Sequence, residues 1–283
     1  MLAILGGIGA AAAWAISVLC SSRSSRIIEP MAVVAWIMLV GLVITAPLAA
    51  ATGVPENLHG ATLVWLILAG AGNVGGLIIN YYALRIGQVS LVAPIVSTEG
   101  AIAAVISVIA GATLAVSVAA ALLVIVVGVS LASVPSPDAA VEEAGRHPMV
   151  VLLAIASALS FGISLYATGR AGAVLPASWV VLSARLIGAV ALALPLALAG
   201  RLRLTSRAAP FVVASGLAEV AGFYSYTLGS RHGLAIAAVL ASQFAVLALA
   251  ASYVLFSERL SRVQLAGVAC VVVGVAALTA VTA

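Results

Sequence analysis

The chain has no lysine, and only 7% of its residues are charged. That is too little charge to clothe a water-facing globular surface, so a soluble domain is excluded. It has two cysteines, Cys20 and Cys270, both in or at the end of apolar runs, which implies neither a disulfide framework nor a thiolate metal site. His59, His147 and His232 fall in connections with no partner at ligand spacing, so no metal is expected. There is no P-loop, dinucleotide fingerprint, Gly-x-Ser-x-Gly elbow or His-Glu-x-x-His. ATP-driven transport by this chain alone is therefore unsupported, no cofactor is expected, and the chain is not read as an enzyme. The first apolar run lacks a basic start and a small-residue cleavage site, so it is expected to be retained.

What is present is hydrophobicity: 65% of the 283 residues are apolar and the mean hydropathy is +1.31. Crossing about 30 Å of hydrocarbon at about 1.5 Å per residue needs roughly 20 residues. Ten runs of that length are visible, over 2–20, 30–50, 61–83, 89–110, 113–133, 148–168, 177–199, 208–229, 234–256 and 261–281. They are continuously apolar and do not alternate, which predicts helices and not barrel strands. The expected fold is all-α integral membrane, with ten transmembrane helices.

The twelve arginines are scattered through short connections, which gives no case for nucleic acid. On an alternating path, the connections after odd-numbered runs carry Arg23, Arg26, Arg85, Arg146, Arg201, Arg203, Arg207, Arg259 and Arg262; the opposite ones carry Arg170 and Arg231. The positive-inside rule then places the odd connections in the cytoplasm and both termini outside, the alternative being both termini inside.

The polar stretch Ser133–Pro148 divides the runs five and five, predicting repeats over 1–133 and 148–283 joined by a linker, 134–147. A shift of 146 residues superposes Gly128 on Gly274 and "GNVGG" (Gly72–Gly76) on "AEVAG" (Ala218–Gly222), with Asn73 falling on Glu219. A shift of 147 superposes Trp14 on Phe161, Ser17 on Ser164 and Arg23 on Arg170. Because five is odd, the second half enters the membrane from the opposite side, which is the arithmetic of an inverted repeat and of alternating access.

The five-plus-five organisation, "YYALRIG" closing the third run and "SERLSRVQLAGVACVVVGV" (Ser257–Val275) resemble the EamA-type branch of the drug/metabolite transporter superfamily. The last stretch carries the resemblance furthest, through Glu258, Arg259, Leu260, Gln264, Gly267 and Gly274. Ser257 replaces the usual Gly, and Ala112 stands in the first half where the acidic residue would be. The resemblance covers essentially the whole chain. It implies a secondary transporter, often an exporter of amino acids or other metabolites, without nucleotide hydrolysis.

An ionisable group in hydrocarbon costs on the order of 2.5–3.5 kcal/mol, so it tends to face a cavity or a partner. Three are deep: Glu99, expected about ten residues into the fourth helix, Glu219 in the eighth and Arg185 in the seventh. These are the candidates for substrate or proton coupling, with a structural ion pair between Arg185 and one glutamate as the other reading. Asn73, Asn80, Ser97, Thr98, Tyr226 and Gln243 are candidate cavity-lining residues. Gln243 falls opposite Glu99 at a shift of 144. Pro94 removes a backbone donor and predicts a local bend before Glu99.

The expected activity is export of small metabolites, amino acids or similar amphiphilic solutes, by alternating access, with proton coupling through a buried carboxylate; an uncoupled facilitator with structural glutamates is the alternative. A membrane enzyme acting on lipid-linked substrates would need a polar cluster at an interface; the longest connection offers only Asp138, Glu142, Glu143 and His147. Expected partners are a small-molecule substrate, the lipid bilayer of the cell inner (plasma) membrane and protons. The protein is expected to act as a monomer or homodimer.

Overall fold

The computed structural model describes residues 1–86, 92, 95–132, 134, 147–247 and 261–282. Among them there is no strand. In chain order the helices are α1 (Leu2–Ser24), α2 (Pro30–Ala51), α3 (Ala61–Ile86), α4 (Glu99–Ile109), α5 (Val116–Ala132), α6 (His147–Gly172), α7 (Ala177–Leu198), α8 (Ala209–Ser230), α9 (Leu234–Ala241) and α10 (Arg262–Thr282). Six of these, α1, α2, α3, α6, α7 and α8, are long and apolar enough to cross a membrane. The other four are shorter apolar helices among the described residues. Pro94, residues 135–146 with Asp138, Glu142, Glu143 and Arg146, the end of the ninth run (248–256), and Ser257 to Leu260 lie outside the described residues, as do the side chains of Tyr81, Arg85 and His147.

Helix boundaries follow local chemistry. Pro30 and Pro210 occupy the first turns of α2 and α8, where a missing N–H costs nothing. In α7 a π-helical stretch, Ala189–Ala193, precedes Pro195. The stretch lies inside the seventh run, read over 177–199 in the sequence. A proline ring inside a helix displaces the carbonyl one turn back, and a π turn is one way of absorbing that displacement.

Two expectations are corrected. Glu99 is not deep inside an unbroken fourth helix: Ser97 and Thr98 form a turn, and Glu99 is the first residue of α4. Likewise Gln243 is not mid-helix, because a turn at Ser242 and Gln243 ends α9 before helix resumes over 244–247. In hydrocarbon a broken helix needs new partners for its carbonyls, and polar side chains supply them. Thr98 Oγ1 donates to Ile95 O at 2.7 Å. Ser242 Oγ and Gln243 Nε2 both donate to Val239 O at 2.8 Å.

Packing pairs the helices as α1 with α8, α3 with α6, α2 with α7, α4 with α9 and α5 with α10. Secondary pairings are α1 with α9, α4 with α6, α2 with α8 and α3 with α7. Small residues bring backbones together, as membrane interfaces require where lipid supplies no hydrophobic drive. A Cβ on Gly6 would lie 2.5 Å from the Gly229 Cα. A Cβ on Gly128 would meet Val271 N at 2.7 Å, and one on Gly274 would meet Ile125 N at 3.1 Å. Serines bridge α6 to α3: Ser157, Ser160 and Ser164 donate to the carbonyls of Gly76, Gly72 and Ala69 at 3.0, 2.8 and 2.6 Å. Apolar residues such as Val43, Ile109 and Val116 point outward, where hydrocarbon is the solvent.

Candidate functional site

At the centre of the bundle, α1, α3, α6 and α8 and the two breaks beside α4 and α9 surround a cavity of ≈ 110 Å³, room for a small solute or several waters. Its polar lining is Asn73, Asn80, Glu99, Glu219 and Ser164. Its aromatic lining is Trp14, Phe161, Phe223 and Phe244. The rings interlock: Trp14 meets Phe223 edge-on at 5.1 Å and Phe244 at 6.5 Å between centroids.

Glu219 sits between the cavity and a sealed cation. Its Oε2 accepts from Arg185 Nη2 at 3.4 Å, and its Oε1 accepts from Ser17 Oγ at 3.3 Å. Ser17 also shares a 2.8 Å hydrogen bond with Ser215 Oγ. Arg185 is fully buried and is not part of the cavity wall. Its guanidinium lies 5.1 Å from the Phe223 ring centroid, and Nη1 reaches Met38 Sδ at 3.4 Å. Gly41 makes the room: a Cβ there would stand 2.7 Å from the Arg185 Cδ. Arg185 Nε has no hydrogen-bond partner among the described residues.

Glu99 is placed differently. It is 5% exposed, lines the cavity, and among the described residues has no countercharge and no hydrogen-bond donor. The break before it aims the carboxylate inward, while Gly100 lets α4 lie against α9, since a Cβ there would strike Ala238 and Ser242. Among the described residues, the titratable side chains that interact electrostatically with Glu99 are Glu219 and Tyr226, both from α8.

Of the residues singled out in the sequence, Glu99, Glu219, Asn73 and Asn80 are thus brought together in the lining of one cavity. Arg185 stands behind Glu219. Tyr226 does not line the cavity: it is fully buried, and its hydroxyl donates to Leu165 O at 2.8 Å. Ser97, Thr98 and Gln243 belong to the breaks and are not in the lining, though the buried Gln243 Oε1 and Asn73 Oδ1 lack partners among the described residues. Sequence reasoning missed Phe223 and Phe244 altogether. The superposition of Trp14 on Phe161 was the available signal for an aromatic wall.

One end of the bundle, at the N-terminal ends of α1 and α3, is closed. There Gly6 packs on Gly229, Trp65 meets Tyr166 at 5.8 Å, and Arg170 lies over Trp65 at 5.7 Å. Arg231 donates to Gly172 O at 2.6 Å and to Leu175 O at 2.7 Å, tying the start of the α8–α9 connection to the end of α6.

A helical bundle with lipid-facing apolar flanks and a solute-sized, charge-bearing cavity at its centre defines a multi-pass membrane protein with an internal site. The family model of the EamA-like transporter family matches residues 1–134 and 148–280. The chain belongs to that family, and it is a membrane transporter. No curated protein matches it significantly. A solved crystal structure is similar in fold over 99% of this chain and 96% of its own, with a TM-score of 0.81 and 21% identity.

Proposed function

We propose that the protein exports a small amphiphilic solute across the cell's inner membrane by alternating access between two inverted five-helix halves, 1–133 and 148–283, and that Glu99 binds and releases a proton during the cycle. The observation that carries the reading is the make-up of the cavity wall. Trp14 and Phe161, Val18 and Leu165, Asn73 and Glu219, and Leu77 and Phe223 all line it, and each pair is related by the repeat shifts of 147 or 146 residues.

The packing supports the same exchange of halves. Renaming each helix as its counterpart five places on turns the α1–α8 contact into α6–α3, α1–α9 into α6–α4 and α2–α8 into α7–α3, all of which occur. Gly128 meets Gly267 and Val271, while Gly274 meets the corresponding Ala121 and Ile125. Such near-equivalence gives one chain two conformations of similar energy, one open to each side. Val18 and Asn80 lie toward the C-terminal ends of α1 and α3, away from the closed end and toward the arginine-bearing connections. This favours loading from the cytoplasm.

The proton reading rests on Glu99 facing the cavity with no countercharge among the described residues, whereas Glu219 is paired with Arg185. Reconstituted protein tests it: solute efflux should respond to an imposed pH gradient, and Glu99→Gln should abolish that response. Efflux that ignores the gradient in the unaltered protein refutes coupling and leaves a facilitator.

A further inference from the structure

We infer that the central cavity selects organic monocations, a protonated amine on a compact apolar body, over zwitterions and anions; this rests on the transporter reading above and narrows its substrate. Among the described residues, three ionisable side chains set the charge of the site. Arg185 and Glu219 are paired, and the guanidinium is shut behind the wall by Met38, Phe223 and the α2 backbone at Gly41. Its charge is therefore spent on Glu219 and meets nothing in the cavity. The wall itself presents two carboxylates and, among the described residues, no cationic group. One of the two, Glu99, has no partner among the described residues.

An anion entering this space approaches two carboxylates; among the described lining residues its donors are the amides of Asn73 and Asn80, since the Ser164 hydroxyl already donates to Ala69 O and the Trp14 indole N–H is buried against Gly222. A zwitterion satisfies Glu99 but leaves its own carboxylate to those amides. A monocation places its ammonium on Glu99 and its body among rings whose faces attract positive charge. Charge complementarity of this kind decides specificity by repelling the wrong partner as much as by holding the right one.

The test uses three probes with one phenyl body: phenethylammonium, phenylalanine and phenylpropanoate. Each is titrated against the purified full chain by calorimetry, then offered to proteoliposomes. Phenethylammonium should bind on the order of tenfold or more tighter than either of the others, and Glu99→Gln should erase that margin. Phe161→Leu, which retains the carboxylate, should weaken the cation severalfold while leaving the helical circular dichroism unchanged. Equal or tighter binding of phenylalanine or phenylpropanoate overturns the cation assignment and leaves the transporter standing, as does failure of phenethylammonium to bind at all. Tight phenethylammonium binding without movement across the bilayer preserves the assignment and removes alternating access.

Discussion

Glu219→Gln should destabilise the protein, and Glu99→Gln should not. Both are carboxylates in one cavity lining, yet among the described residues only Glu219 neutralises a neighbour. Removing one partner of a buried ion pair leaves the other charge uncompensated, at a cost of about 3–5 kcal/mol in fully buried cases. Arg185 is fully buried, but Glu219 is 16% exposed and the contact is long at 3.4 Å. The lower part of the range applies, and the Phe223 ring still returns about 1 kcal/mol of cation–π attraction. We expect a loss of about 2–3 kcal/mol for Glu219→Gln. Arg185→Met should cost less, about 1 kcal/mol, because a freed Glu219 keeps Ser17 and the wet cavity. The double substitution should lie within about 1 kcal/mol of the unaltered protein, giving a coupling of about 2–4 kcal/mol. Glu99→Gln has no pairing to lose and should stay within about 1 kcal/mol of the starting stability. Equilibrium unfolding in mixed detergent micelles measures all four. If Glu219→Gln is as stable as the parent and the pair is additive, Arg185 is not held by Glu219 and the distinction between the two glutamates collapses.

Other perturbations probe the packing and the closed end. Gly128→Val and Gly274→Val each overpack the α5–α10 contact and should each cost about 1–3 kcal/mol, with less than additive loss together because one separation relieves both; the same unfolding assay reads this. Arg231→Gln removes two charge-assisted bonds to the carbonyls of Gly172 and Leu175. Hydrogen exchange at the end of α6 should then rise by roughly tenfold or more, and unchanged protection would show that the closed end does not depend on Arg231. Replacing Ser157, Ser160 and Ser164 together by Ala removes three bonds between α6 and α3, each worth about 0.6 kcal/mol in membranes. A total loss near 2 kcal/mol is expected, and no change in unfolding would assign that contact to shape alone.

The runs of apolar residues were sufficient to read an all-helical membrane protein, because hydrocarbon leaves the backbone few alternatives. Trp14, Phe161, Asn73 and Glu219 could be singled out for the same reason, since bulky or polar side chains stand out in an oily background, and all four line the cavity. What sequence could not supply was partnership and local breaks. Hydropathy is blind to the turns at Ser97–Thr98 and Ser242–Gln243, since their side chains satisfy the freed carbonyls without changing the average. Equally, nothing in the order of residues distinguished Glu99 from Glu219. The helix pairing decided that, by placing Arg185 within reach of Glu219 and leaving Glu99 in the cavity lining with no countercharge among the described residues, and electrostatic roles follow distance and burial, which only the folded chain fixes.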